Sequence, residues 1–326
     1  MHDIAIDARQ GEVAVATHGR AFWILDNLAL LEQLARDSKR NSANPQLFAP
    51  ETAWLTHAYG AAAFPPPATG ENPPFGATVF FNVPATYDGK TPVTLAFLDP
   101  SGATVRSFRL HLKDKHAKKV PPEVRGEMDA IHQRALDFAD LTAIEPGTNK
   151  FQWDLRYAPA TEVNGYHEPL ADDFPASVDG PTLVPGTYTV VLQYGATKLT
   201  QPLPVQLDPR LHPAPGDLEA RLALEMRVRE SLDKLDTTLN AALAAAPKLP
   251  AAKRAQLETA IADLVQFDIH SSEGDLLHES RLRSHLAFLA NELETAYEKP
   301  TNAEYAAYDE FEAQADAGIA RLKGLF

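Results

Sequence analysis

Between residues 76 and 207 apolar side chains recur at every second position, the period of a strand with one buried face. Ala77-Thr78-Val79-Phe80-Phe81-Asn82-Val83 opens the series. Val93-Thr94-Leu95-Ala96-Phe97-Leu98-Asp99 follows, with Val93, Leu95 and Phe97 on one face. Asp99-Pro100-Ser101-Gly102 is a turn, and residues 105–110 pair back across it as a hairpin arm. Residues 149–156, 186–194 and 199–207 read as further strands, with Tyr188, Val190, Leu192 and Tyr194 sharing a face. About six strands without regular strand–helix alternation predict an immunoglobulin-like antiparallel β-sandwich over 76–208. A helical insertion interrupts it at 113–146, where Met128, Ile131, Ala135, Phe138 and Leu141 recur at helical spacing. An irregular acidic loop interrupts it again at 158–185.

The period changes to that of a helix after Asp208-Pro209-Arg210. Pro213 and Pro215 close a linker, the first helix is expected to begin at 215–218, and Asp217 is its expected N-cap. Leu218, Leu222, Val228, Leu232, Leu235, Leu239 and Leu243 form its stripe, and Pro247 and Pro250 end it. A second helix over 251–267 carries Leu257, Ile261, Leu264 and Val265. A third over 275–297 carries Leu282, Leu286, Leu289, Leu293 and Tyr297. Thr301 and Glu304 form a capping box for a fourth, which presents Tyr305, Tyr308, Phe311, Ala315, Ile319 and Leu322. One stripe per helix and short connections predict an antiparallel four-helix bundle over 216–326.

Upstream of the sandwich the texture differs again. Residues 1–26 read as three short strands joined by tight turns, about one blade of a β-propeller, and no second blade follows. Residues 27–75 read as a connector: a short helix at 28–34, then a proline-rich strap anchored by Trp54 and Tyr59. The expected fold class is therefore multi-domain α+β: a partial propeller blade, a sandwich with a helical insertion, and a bundle.

Length and charge narrow the function classes. With 326 residues the chain can build two or three cores, and a net charge of -14 argues against a nucleic-acid surface. Cysteine is absent, which excludes disulfides, thiolate-bound zinc and a cysteine nucleophile. No apolar run approaches the ~18 residues of a membrane span, and the N-terminus lacks the pattern of a signal peptide. If Met1 starts the whole protein, a cytoplasmic location is expected.

Thr17-His18-Gly19-Arg20-Ala21-Phe22-Trp23-Ile24-Leu25-Asp26 resembles the closing strands of the last blade in large bacterial proteins with BNR/Asp-box, sortilin-like propellers. That group carries glycosyl hydrolase or exo-alpha-sialidase-like labels. The resemblance continues through Asn72-Pro73-Pro74-Phe75-Gly76-Ala77, Asn149 to Tyr157 with its Trp153-Asp154-Leu155-Arg156-Tyr157 block, Val184-Pro185-Gly186-Thr187-Tyr188 and Asp208-Pro209-Arg210. It implies a C-terminal region, helical tail included, that follows a propeller lying upstream. It also implies a longer parent protein that is periplasmic or secreted. No Ser-x-Asp-x-Gly-x-x-Trp box is present, and the arginine triad, tyrosine and acid–base aspartate of sialidases cannot be placed on these residues.

Two functions follow from this reading. In the first, the chain is a non-catalytic accessory or interaction region that braces a propeller or docks a partner protein over its open blade. In the second, it belongs to a secreted glycoside hydrolase or glycan-binding protein whose active face lies on the propeller. The partners to expect are an upstream propeller, a partner protein or a glycan, with no nucleic acid, no membrane span, no metal and no cofactor. No catalytic residue is assigned. The candidate structural or binding residues are His18, Arg20, Trp23 and Asp26 near the blade's last turn, and Trp153, Asp154 and Arg156 along one strand. Alternation would place Trp153 and Leu155 on one face of that strand, with Asp154 and Arg156 on the other. Partner carboxylates for a glycosidase pair with Asp154 would come from Glu162, Glu168, Asp172 or Asp173. His270, Glu273, His278 and His285 cluster in sequence, but His278 and His285 would stand ~10 Å apart on one helix, too far to share a metal.

Overall fold

A computed structural model describes residues 2–7, 11–19, 21–36, 43–56, 75–114, 116, 120–121, 130–166, 179–267 and 278–326. The fold is multi-domain α+β, with a curled open sheet and a C-terminal helical bundle. Two compact units divide the chain. The first comprises Met1–Val120, Ala135–Leu155 and Pro185–Arg210; the second comprises Pro121–Arg134, Arg156–Val184 and Leu211–Phe326.

The first unit opens with strands β1 (Asp3–Asp7), β2 (Glu12–Ala16) and β3 (Phe22–Leu25), an antiparallel meander in the order β1-β2-β3. Helix α1 (Leu28–Arg36) follows, then the short strands β4 (Gln46–Leu47) and β5 (Ala53–Leu55). The alternating run supplies β6 (Ala77–Val83), β7 (Val93–Leu98) and β8 (Thr104–Leu112). After it come α2 (Ala130–Thr142), β9 (Ala143–Ile144), β10 (Gly147–Trp153), β11 (Gly186–Tyr194) and β12 (Thr197–Leu207). They form a three-stranded sheet, β10-β6-β4, and a six-stranded sheet, β5-β12-β11-β7-β8-β9.

Both sheets contribute to one aromatic core. Trp153 of β10 stacks on Phe97 of β7 at 3.8 Å, and Phe151 meets Phe108 of β8 edge-on at 4.8 Å. Tyr188 of β11 closes on Trp153 at 6.5 Å, and Val190 is buried with it. The six-stranded sheet departs from the antiparallel expectation at both ends, where β5 pairs parallel with β12 and β9 parallel with β8. The connector is correspondingly more than a strap. It supplies an edge strand to each sheet, and Leu47, Phe48, Ala53 and Leu55 are buried. Tyr59 and the prolines at 65–67 and 73–74 lie outside the described residues, as do residues 122–129 ahead of α2.

In the second unit, α3 (Asp217–Ala245) continues into a short 3-10 turn (Ala246–Lys248). It is followed by α4 (Ala251–Ala262), α5 (Leu282–Glu294) and α6 (Asn302–Lys323). Helix α3 packs on α5 and α6. Leu224, Val228, Leu232, Leu235 and Leu239 meet Leu257, Ile261, Leu286, Leu293, Tyr308, Ala315 and Leu322 in one core, which Ala160, Val163 and Tyr166 also enter.

Helix α3 starts inside the expected window, but Gly216 rather than Asp217 is its N-cap. Gly216 has a φ of 88°, and the Asp217 carboxylate turns back to accept the Ala214 N–H at 3.1 Å. Leu224 is buried where Leu222 was expected, because the buried arc of the helix also takes Arg221 and Glu225. Helix α5 starts at Leu282, not 275, after the extended residue Arg281. The Thr301–Glu304 capping box is present in both directions.

Candidate functional site

The meander β1–β3 leaves large apolar side chains in solvent. Its registers align Ile4–Val15–Trp23 and Ile6–Val13–Leu25 as cross-strand rows, with Ile24 and Phe22 on the opposite face beside Ala14 and Ala16. Phe22 is 76% exposed, Trp23 60% and Ile6 63%. The turn before β3 is closed by Thr17, whose N–H and hydroxyl both donate to the Ala21 carbonyl, at 3.1 and 3.0 Å. Gly19 and Ala21 take positive φ there. His18 is exposed, with its ring stacked on His2 at 5.7 Å. Arg20 lies outside the described residues.

Asp26 lies on the wall of a cleft of about 700 Å³ within the first unit, together with Glu12, Glu51, Trp54, Phe75 and Lys150. Glu51 accepts the Ala29 N–H near the start of α1 at 3.3 Å. Burial pushes its carboxyl above the usual range, the charges of Glu12 and Asp26 push the same way, and the Ala29 hydrogen bond opposes them. Asp208, on the same wall, accepts from Arg210 Nε at 2.9 and 3.1 Å, which holds its carboxyl down to about 2.

The Trp153–Arg156 block does not continue as a strand. β10 ends at Trp153, Leu155 is buried with a φ of 59°, and the alternation that would align Asp154 with Arg156 is broken there. Asp154 is half-exposed and paired with Arg106 at 3.1 Å in the first unit. Arg156 belongs to the second unit, where its guanidinium forks onto Glu294 at 2.6 and 2.7 Å. Of the carboxylates weighed as partners for Asp154, Glu168, Asp172 and Asp173 fall outside the described residues, and Glu162 belongs to the second unit. His270 and Glu273 also lie outside. His285 is exposed against Phe311. Among the described residues no group of three or more histidines and carboxylates is gathered for a metal.

Sequence periodicity missed two polar groups in the helical core. Asp236 and Arg283 are both buried and meet at 3.2 Å, with the Arg283 guanidinium 4.5 Å from the Tyr166 ring centre. Arg221 and Glu225, one turn apart on α3, are buried as well. Arg221 Nε lies 3.2 Å from Glu225 Oε1 but is not aligned as a donor to it, so neither Glu225 oxygen accepts a hydrogen bond. Glu225 borders a cavity of about 20 Å³, room for about one water molecule. Burial pushes its carboxyl up to about 7, aided by the charge of Glu294 and opposed by Arg221 and Arg156. The signal for both pairs was an i, i+4 charge pair, or a single charge, standing on the apolar side of a heptad-like stripe.

The raised Glu225 midpoint has a definite sign for stability. Between its ordinary 4.5 and about 7 the folded chain holds a proton that the unfolded chain has released. The contribution of Glu225 is therefore most favourable below pH 4.5 and declines as pH rises, levelling off above about 7. The total change is roughly 3 kcal/mol. Chemical unfolding of the helical unit across pH 5–8 should show this slope, and Glu225→Gln should flatten it. An unchanged slope in the variant would refute the assignment.

No family model, curated protein or solved structure matches the chain. No described helix is long and apolar enough to cross a membrane.

Proposed function

We propose that this chain is a non-catalytic accessory or interaction region whose N-terminal meander docks against further β structure, either the rest of a propeller or a partner protein. One observation carries the reading: Ile6, Phe22, Trp23 and Ile24 are all more than half exposed on a single three-stranded sheet. Large apolar side chains exposed on both faces of one small sheet are the usual mark of an interface. The antiparallel meander order supports its reading as the end of a last propeller blade, in keeping with the resemblance of residues 17–26 to BNR/Asp-box, sortilin-like proteins. The aromatic core shared by two sheets supports the reading of residues 76–208 as an immunoglobulin-like sandwich. On this reading the parent protein is longer and exported.

The DNA upstream of the Met1 codon tests the propeller form. An in-frame extension encoding further blades is the expected result, and a stop codon with its own ribosome site would overturn it. The interface itself is tested by sedimentation of the chain with and without Phe22→Ser and Ile24→Ser. The wild type is expected to associate or to bind an apolar dye through this sheet. Equal behaviour of the two would remove the Phe22–Ile24 face as a docking surface.

The cleft that Asp26 lines favours a second reading, in which this region contributes to a glycan-binding face. A volume of about 700 Å³ is in the range of ligand pockets, and Trp54 and Phe75 offer aromatic surface beside carboxylates. Titration of tryptophan fluorescence with oligosaccharides, compared between the wild type and Trp54→Phe, distinguishes it, since a docking surface alone would give no saturable change that depends on Trp54.

A further inference from the structure

Glu294 ties α5 to the described ends of the segment Arg156–Val184. It accepts both arms of Arg156, and its Oε1 also accepts the Thr182 N–H and hydroxyl at 3.2 Å each. Arg156 also donates to the Gly180 carbonyl, and Tyr157 N–H donates to Pro181, so the two described ends of the segment close on one carboxylate. Glu225 is only 2% exposed and faces the cavity beside this clasp, with no hydrogen bond to either oxygen. Among the described residues the charged groups bordering it are Arg221 and Arg229 from α3, Glu294 from α5, and Arg156 and Asp179 from the segment; Asn291 is the neutral polar neighbour.

While Glu225 is neutral, Arg156 is held in a two-armed pair by Glu294, with Asp179 on the same cavity wall. Once Glu225 ionises, it competes with Glu294 for the cations around a poorly solvated site, Arg156 as well as the nearer Arg221, and the new charge draws Arg156 and water toward the cavity. We propose that Glu225 is a proton-binding site of the helical unit, and that loss of its proton loosens the Arg156–Glu294 clasp holding the segment to α5. The position of its midpoint, about 7, makes the site responsive at physiological pH.

Hydrogen exchange at the Tyr157 and Thr182 amides reads the clasp directly. Measured at pH 6 and 8.5 and corrected for intrinsic exchange, protection of both should fall on the order of tenfold at the higher pH. The Leu257 amide in α4 should hold its protection. Glu225→Gln should abolish the response. Glu225→Met, which removes the ionisable group without leaving a buried amide, covers the case in which the first variant folds poorly. A flat response in the wild type would overturn the proposal, as would an equal response in both variants or parallel loss at Leu257.

Discussion

Trp153→Ala should destabilise the first unit by about 3–5 kcal/mol. Trp153 is 1% exposed and closes a cluster with Phe97, Phe151 and Tyr188 drawn from both sheets, so truncation leaves a cavity that neither sheet can collapse to fill. Stacking on Phe97 adds to the lost burial. The loss should appear in urea unfolding followed by the fluorescence of Trp23 and Trp54, while far-ultraviolet dichroism of the helices changes later. Any binding activity should fall only with the folded fraction. A variant that stays folded but selectively loses glycan or partner binding would make this strand a recognition surface instead.

Asp236→Ala should cost the helical unit a similar 3–5 kcal/mol, for a different reason. Removing the carboxylate takes away an acid that the buried Arg283 guanidinium meets at 3.2 Å, and breaking a buried charge pair from one side is far costlier than the pair is stabilising. Asp236→Leu combined with Arg283→Met should recover most of the loss, since an apolar pair of similar volume carries no desolvation cost. Thermal unfolding of the two variants side by side decides it. If the double variant is as unstable as the single one, the packing of Arg283 on Tyr166 outweighs the charge pairing.

Much of the architecture was legible because period-two and period-3.6 patterns report directly on which face is buried. The strands at 77–83, 93–98 and 186–194 and the capping box at Thr301 are of this kind. What escaped has three physical sources. β4 and β5 span two and three residues, too short for any period, and gain their places only by pairing with distant strands. Leu155 takes a left-handed backbone, which an alternating pattern cannot announce, and so Asp154 and Arg156 went to unrelated partners. Arg221, Glu225, Asp236 and Arg283 are charged residues inside a helical core, where hydropathy assigns them to solvent. Of the candidate site residues, Trp153 was placed by its pattern. The cleft beside Asp26 depends on the connector's course and could not be read in advance.

The pairing of Ala53 with Val205 also fixes an order of events at the ribosome. The two strands are roughly 150 residues apart, so at common elongation rates β5 emerges about 8–30 s before the strand it will lie beside. During that interval Ala53 and Leu55 belong to a nascent chain without their neighbouring strand, whereas Leu47 and Phe48 pair with β6 as soon as residues 80–82 have been made. That edge of the six-stranded sheet is therefore closed late in synthesis, with Ala53–Leu55 waiting until β12 has been made.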